Sequence, residues 1–316
     1  MTLAMYMLQI NRIKALRFLK EAYDPASFNP SDHSTVSELE RFFEKRRKTV
    51  EDPYDIVLDE ELIDDYAIDW AQVEGEIEGD IPESLEYMIN RGFSSEALNA
   101  WEFGYDEVTD RIVFPVRDDI GRLVGFKARA WRDGQRPKYL NLGDSPGKPE
   151  NRKRFGFPTH LKSRYVFGMN KALEMARAVG DDAVDQLIVC EGELNAIALW
   201  DKGFENSVAV NGSDLSKQQA DIFRKYADEL VLFFDSDRAG HEGIWGWTDE
   251  DDRFHPGVVT KLLPFIRIKI VPVHDGDPAT MSYSEINKCI EEAQSARALQ
   301  MITHEARQSA RILPQQ

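Results

Sequence analysis

The sequence predicts an α/β fold, with a parallel sheet flanked by helices and, ahead of it, a mixed α+β subdomain rich in basic residues. Three observations carry this prediction. Residues 187–190, 230–234 and 268–274 are short β-branched and aromatic runs bounded by polar segments, the pattern of buried parallel strands. From the first run onward the chain alternates strand, helix, strand, helix, strand, helix, strand, which implies a parallel sheet with right-handed crossovers. Charge also changes along the chain. Residues 51–86 hold fifteen acidic residues and no Lys or Arg, whereas residues 122–171 hold thirteen basic residues against three acidic ones.

Taken in order, residues 12–23 have helical spacing that Asp24-Pro25 stops. Thr35-Val36-Ser37-Glu38 is a capping box opening a helix through Lys48. The acidic stretch contains Ile56, Leu58, Leu62, Tyr66, Ile68 and Trp70, so it reads as an acidic helix or a partner-binding segment. Pro82-Glu83-Ser84 starts a further helix that ends at Arg91-Gly92. Residues 111–117 and 123–126 read as strands joined by the turn Asp118-Asp119-Ile120-Gly121. A basic Pro/Gly loop runs from Asn141 to about Phe157, and residues 170–179 form the helix leading into the first acid-tipped run. Ser282-Tyr283-Ser284-Glu285 is a second capping box, opening a C-terminal helix to about Arg307. The expected divisions are 1–83, 84–180, 181–281 and 282–316.

The 316 residues are 42% hydrophobic, enough for a sizeable core. No stretch is long and apolar enough to span a bilayer, and none is shaped like a signal peptide. Cys190 and Cys289 have no CxxC partner, which excludes a zinc ribbon and a disulfide framework and implies a reducing, cytoplasmic setting. The net charge of −17 argues against a nucleic-acid partner, but a local basic surface suffices to meet phosphates.

Each apolar run ends in acid: Glu191-Gly192-Glu193, Asp235-Ser236-Asp237 and Asp275-Gly276-Asp277. Ligands bind beyond the carboxyl ends of parallel strands. Carboxylates gathered there repel one another unless a cation joins them, and hard oxygens suit Mg²⁺ or Mn²⁺. If the backbone stays extended, Glu191 and Glu193 share one face. Asp275 either joins the cluster or caps its turn.

Together these three acidic motifs, with Arg238-Ala239-Gly240 and Pro278 beside them, resemble the signature of a TOPRIM domain. Several upstream segments resemble the polymerase module of DnaG-type primases: Phe114-Pro115-Val116-Arg117-Asp118, Gly121-Arg122-Leu123-Val124-Gly125-Phe126, Arg129, Lys138-Tyr139-Leu140-Asn141 and Phe167-Gly168-Met169-Asn170-Lys171-Ala172. The resemblance covers roughly residues 84–290. It implies a TOPRIM-type sheet preceded by a basic polymerase-like subdomain, and short RNA primers made on single-stranded DNA from NTPs. It also implies Glu191, Asp235 and Asp237 as catalytic acids, these three with Asp277 as Mg²⁺ or Mn²⁺ ligands, and Arg129, Lys138 and Lys162 as template or triphosphate contacts. Tyr139 and Trp131 would stack on bases or pack as core, and Arg152, Lys153 and Arg154 would touch the backbone. Asn211-Gly212-Ser213 would offer amides to phosphate, or form a turn with a helix N-cap at Ser213 or Ser216.

The chain departs from the family pattern twice. Asn195 stands where an acid usually follows the first motif, and Ala279 where the third has its second Asp. Residues 143–148 approximate a P-loop, but one glycine spacing is short and Pro149 replaces Ser/Thr, so no ATPase or fused helicase is expected. Residues 1–83 contain one histidine and no cysteine, so no zinc is expected there. A core of this kind resembles a phage replication protein, with a replicative helicase and a separate zinc-domain protein as expected partners. A TOPRIM nuclease and a non-catalytic DNA-binding replisome protein remain as alternatives.

Overall fold

The computed structural model describes residues 56–68, 82–144, 155–212, 214–274, 276 and 278–302. The elements expected within 1–55, the basic loop 152–154, Ser213, Asp275 and Asp277 lie outside them. Every element below belongs to one compact unit, Val57–Gln316.

Helix α1 (Glu83–Asn90) follows Pro82 and buries Leu85 and Met88. Helix α2 (Ser95–Ala100) is capped by Ser94, whose Oγ accepts from the Ala97 N–H at 3.0 Å. An antiparallel sheet follows, ordered β1 (Gly104–Asp106), β2 (Arg111–Arg117), β3 (Leu123–Arg129) and β4 (Tyr139–Leu142). The β2–β3 turn forms because the Asp118 carboxylate accepts from the N–H groups of Ile120 and Arg122 at 3.1 and 2.9 Å. Alternate residues of β2 serve two cores, Ile112 and Phe114 on one face and Val113 on the other.

Leu58, Leu62, Ile63 and Tyr66 cover that second face. The Leu58 N–H donates to Leu123 O at 2.8 Å, and Arg117 bridges Glu60 and Glu102 at 2.9 Å each. Part of the acidic segment is therefore built into the basic subdomain, upstream of the expected boundary at 83, because its apolar side chains find burial there.

Helix α3 (Met169–Ala178) leads to β5 (Val184–Cys190), α4 (Glu193–Asp201), β6 (Ser207–Ala209), α5 (Lys217–Tyr226), β7 (Ala227–Leu232) and α6 (Arg238–Trp245). A hairpin of β8 (Gly246–Thr248) and β9 (Phe254–Pro256), α7 (Val258–Leu262), β10 (Arg267–Ile270), α8 (Tyr283–Glu291) and β11 (Gln294–Ser295) follow, and residues 296–302 are helical again. The main sheet runs β11-β10-β7-β5-β6; the inner pairs are parallel and β11 is antiparallel to β10. Leu187, Val189, Leu230 and Leu232 enter one core, and Ile188, Cys190, Val231 and Phe233 enter the other. Burial on both faces explains why these runs read as continuously apolar.

Three expectations change. β10 ends at Ile270; the Val271 N–H makes one last bond to Leu232 O at 3.0 Å, and residues 272–274 are irregular; Pro272 has no N–H to extend a ladder. The C-terminal helix opens on the expected Ser282–Glu285 box but is interrupted after Glu291, and helix resumes over 296–302; the remainder of the expected span lies outside the described residues. Residues 294–295 then pair with β10 and close its open edge. The β8–β9 hairpin was not expected; it is pinned by Trp247 stacked on His255 at 4.4 Å. Among the described residues, no helix is long and apolar enough to cross a membrane.

Candidate active site

The chain leaves β5 for β6 on one side and leaves β7 toward β10 on the other, so the topological switch lies between β5 and β7. Ligands of open α/β sheets bind at such a point. Glu191 follows β5 directly, and Asp235 follows β7 after Phe233, whose N–H continues the ladder to Val189 O at 2.9 Å. The two acids thus end neighbouring strands.

Glu191 is half-buried, and its carboxyl is pushed up to about 7 by burial first, then by the charges of Asp235 and Asp237. Asp235 and Asp237 are exposed. The Asn195 amide donates to Asp235 Oδ1 at 3.1 Å, so the residue standing in place of an acid still meets the cluster. Asp237 caps α6, its Oδ1 accepting from the Gly240 N–H at 2.8 Å. Only glycine fits at 240, where a Cβ would stand 2.0 Å from Asp235 O. Ser236 ties this loop to the third one, with its Oγ accepting from the His274 N–H at 2.9 Å.

Glu193 does not share a face with Glu191. The backbone turns helical at Glu193, which is buried against Lys127, Nζ to Oε1 2.6 Å. Ala279 is a core residue, 4% exposed in the apolar cluster that also holds Val271, Met281 and Ile286. Its lack of charge therefore sits in an apolar setting.

Lys162, Asn211 and Gly212 come together beside Glu191. The Gly212 N–H donates to Glu191 O at 3.1 Å, and Lys162 Nζ donates to Asn211 O at 3.3 Å. Asn211 has φ +62° and a buried Oδ1 with no partner among the described residues. Ser216 caps α5 through a reciprocal box with Gln219.

Arg129 is 3% exposed, and its guanidinium donates to the hydroxyls of Tyr139 at 2.6 Å and Tyr87 at 3.2 Å. Burial pushes the Tyr139 phenol up to about 12. Lys138 is exposed, 5.9 Å from the Tyr139 ring. Trp131 has local partners: Arg132 lies over its ring at 3.9 Å and its Nε1–H donates to Asp110 at 3.2 Å. Sequence reasoning missed Lys127 and Tyr87. A lysine between Phe126 and Ala128 in a strand was the available signal for the first, since a charge in an apolar run needs a buried partner.

For a divalent cation, the donor chemistry fits. Glu191 and Asp235 offer hard oxygens, and burial, then the charges of Asp235 and Asp237, favour the protonated form of Glu191 until a cation offsets them. Among the described residues, no three His, Cys, Asp or Glu side chains are grouped closely enough to form a metal site. Asp277 lies outside those residues.

Residues 105–157 match the family model for the N-terminal domain of the DNA primase catalytic core, and residues 188–245 match a Toprim-like model. A DNA primase of Haemophilus influenzae is 33% identical over 141 residues, covering 45% of this chain and 21% of that protein. The chain spans only about a fifth to a third of the curated relatives it matches. Among solved structures, the Aquifex aeolicus primase zinc-binding and RNA polymerase domains align with TM-score 0.57 at 17% identity, covering 98% of this chain and 74% of that one. A DnaG primase catalytic domain bound to single-stranded DNA aligns with TM-score 0.53 at 18% identity, covering 74% and 77%. With both matched segments in this order, and folded into a basic antiparallel sheet ahead of an acid-tipped parallel one, the chain is similar in these residues to the catalytic core of a DnaG-type primase.

Proposed function

We propose that this chain synthesises short RNA primers on single-stranded DNA. The observation that carries the reading is the pairing of Glu191 and Asp235 at the sheet's switch point with Lys162, Asn211 and Gly212 beside them. Lys138 and Tyr139 hold the template strand, while Arg129, expected as a direct contact, is buried and positions Tyr139 through its hydroxyl; a base stacked on Tyr139 would contribute ~1–3 kcal/mol. Lys162 and the amides of the Asn211–Gly212 loop meet the triphosphate. The 3′-oxygen of the growing strand forms a bond to the α-phosphorus as the bond to the β-phosphate oxygen breaks, and pyrophosphate leaves. Glu191 serves either as a metal oxygen ligand or as acceptor of the 3′-hydroxyl proton. Glu191, Asp235 and Asp237, with Asp277, would hold Mg²⁺ or Mn²⁺, which neutralises charge on the triphosphate and the leaving group.

We further assign the chain to the cytoplasm, with a replicative helicase and a zinc-domain protein as partners. Labelled NTPs on single-stranded DNA with Mg²⁺ or Mn²⁺ provide the test. Short oligoribonucleotides that disappear in Asp235→Ala are expected; cleaved DNA, or binding without synthesis even with those partners added, would refute the reading.

A further inference from the structure

Lys127 and Glu193 form an ion pair at 2.6 Å with side chains only 9% and 5% exposed. Removing both charges from water costs several kcal/mol per ion, and well-packed apolar residues of similar volume serve stability as well or better. Stability alone therefore gives a poor account of the pair, and its position gives a better one.

Lys127 lies on β3 of the antiparallel sheet, while Glu193 is the first residue of α4 beside the parallel sheet. The pair thus crosses between the two halves of the core. On one side, Glu193 is two residues from Glu191, across Gly192, which offers α4 no side-chain cap. An acid in the first turn suits the helix dipole, and holding it anchors the turn that aims Glu191. On the other side, Lys127 Nζ lies 5.5 Å from the Tyr139 ring, and the Tyr139 hydroxyl accepts from Arg129 at 2.6 Å. Arg129 is two residues along β3 from Lys127, on the same face of the strand.

We propose that Lys127 and Glu193 are positioning residues that hold the Glu191 turn in register with the Arg129–Tyr139 surface. This inference rests on the primer-synthesis reading of that site. A strand seated on Tyr139, which the buried Arg129 holds by its hydroxyl, then presents its end to Glu191 at a set distance, and loosening the pair lowers turnover more than binding.

Single variants each strand a buried charge and can unfold, so the decisive variant is Lys127→Met/Glu193→Leu, which removes both. It is expected to unfold at or above the temperature of the unaltered protein. Its kcat for primer synthesis is expected to fall at least tenfold, with single-stranded DNA Kd and NTP KM within threefold. Lys127→Arg is expected to keep a third or more of the unaltered kcat. A double variant with unaltered kcat would overturn the proposal, as would one whose kcat loss is matched by an equal loss of DNA affinity. Primer synthesis absent from the unaltered protein would refute the polymerase reading itself. Hydrogen exchange then decides the pair separately: tenfold faster exchange confined to residues 190–195 in the double variant supports anchoring, and unchanged exchange refutes it.

Discussion

In the metal-free protein Glu191 should titrate near neutrality, with a carboxyl midpoint of about 7 where 4.5 is ordinary. That rise of about 2.5 corresponds to ~3.4 kcal/mol between its two protonation states, and solvent screening of a partly exposed group reduces this to roughly 1–2 kcal/mol. The sign follows from proton counting. Between pH 4.5 and 7 the folded state binds more protons at this site than the unfolded chain, so this contribution to stability falls as pH rises through the window. Asp235→Asn removes one repelling charge but leaves burial, the largest cause, in place. The midpoint should therefore drop and still stay above 4.5, read by carbon NMR of the Glu191 carboxyl. A midpoint near 4.5 in the unaltered protein would refute the reasoning, as would one that Asp235→Asn does not move.

Gly240→Ala would place a Cβ 2.0 Å from Asp235 O. Helix propensity gains ~1 kcal/mol, but overpacking costs ~1–3 kcal/mol or more, so thermal unfolding should shift down and primer synthesis should fall. A more stable Gly240→Ala protein would contradict this. Gly104→Ala would set a Cβ 2.1 Å from Tyr66 O, so limited proteolysis should find residues 57–66 released from the sheet. Ser282→Ala removes one half of the α8 capping box, and urea unfolding should report a loss of ~1 kcal/mol.

Much of the fold was legible because its signals are local. The β5 and β7 runs, the turn at Asp118 and the box at Ser282 each depend on a few adjacent residues. Where residues 57–66 pack was hidden, since their apolar side chains called for a partner but the sheet that buries them forms later in the chain. The hairpin at 246–256 and the end of α8 at Glu291 were hidden likewise, because a stacked pair and an open sheet edge exist only after folding.

For the site, the sequence by itself determined which acids end which strands, and so placed Glu191 and Asp235 at one sheet edge. Only the tertiary structure decided what each neighbour does: Asn195 bonds to Asp235, Asp237 caps α6, Ala279 is core, and Glu193 turns inward to Lys127. The physical reason is range. Strand order and polarity follow from short periodic patterns, whereas a buried charge chooses its partner across 66 residues of chain, from Lys127 to Glu193, and no local pattern records that choice.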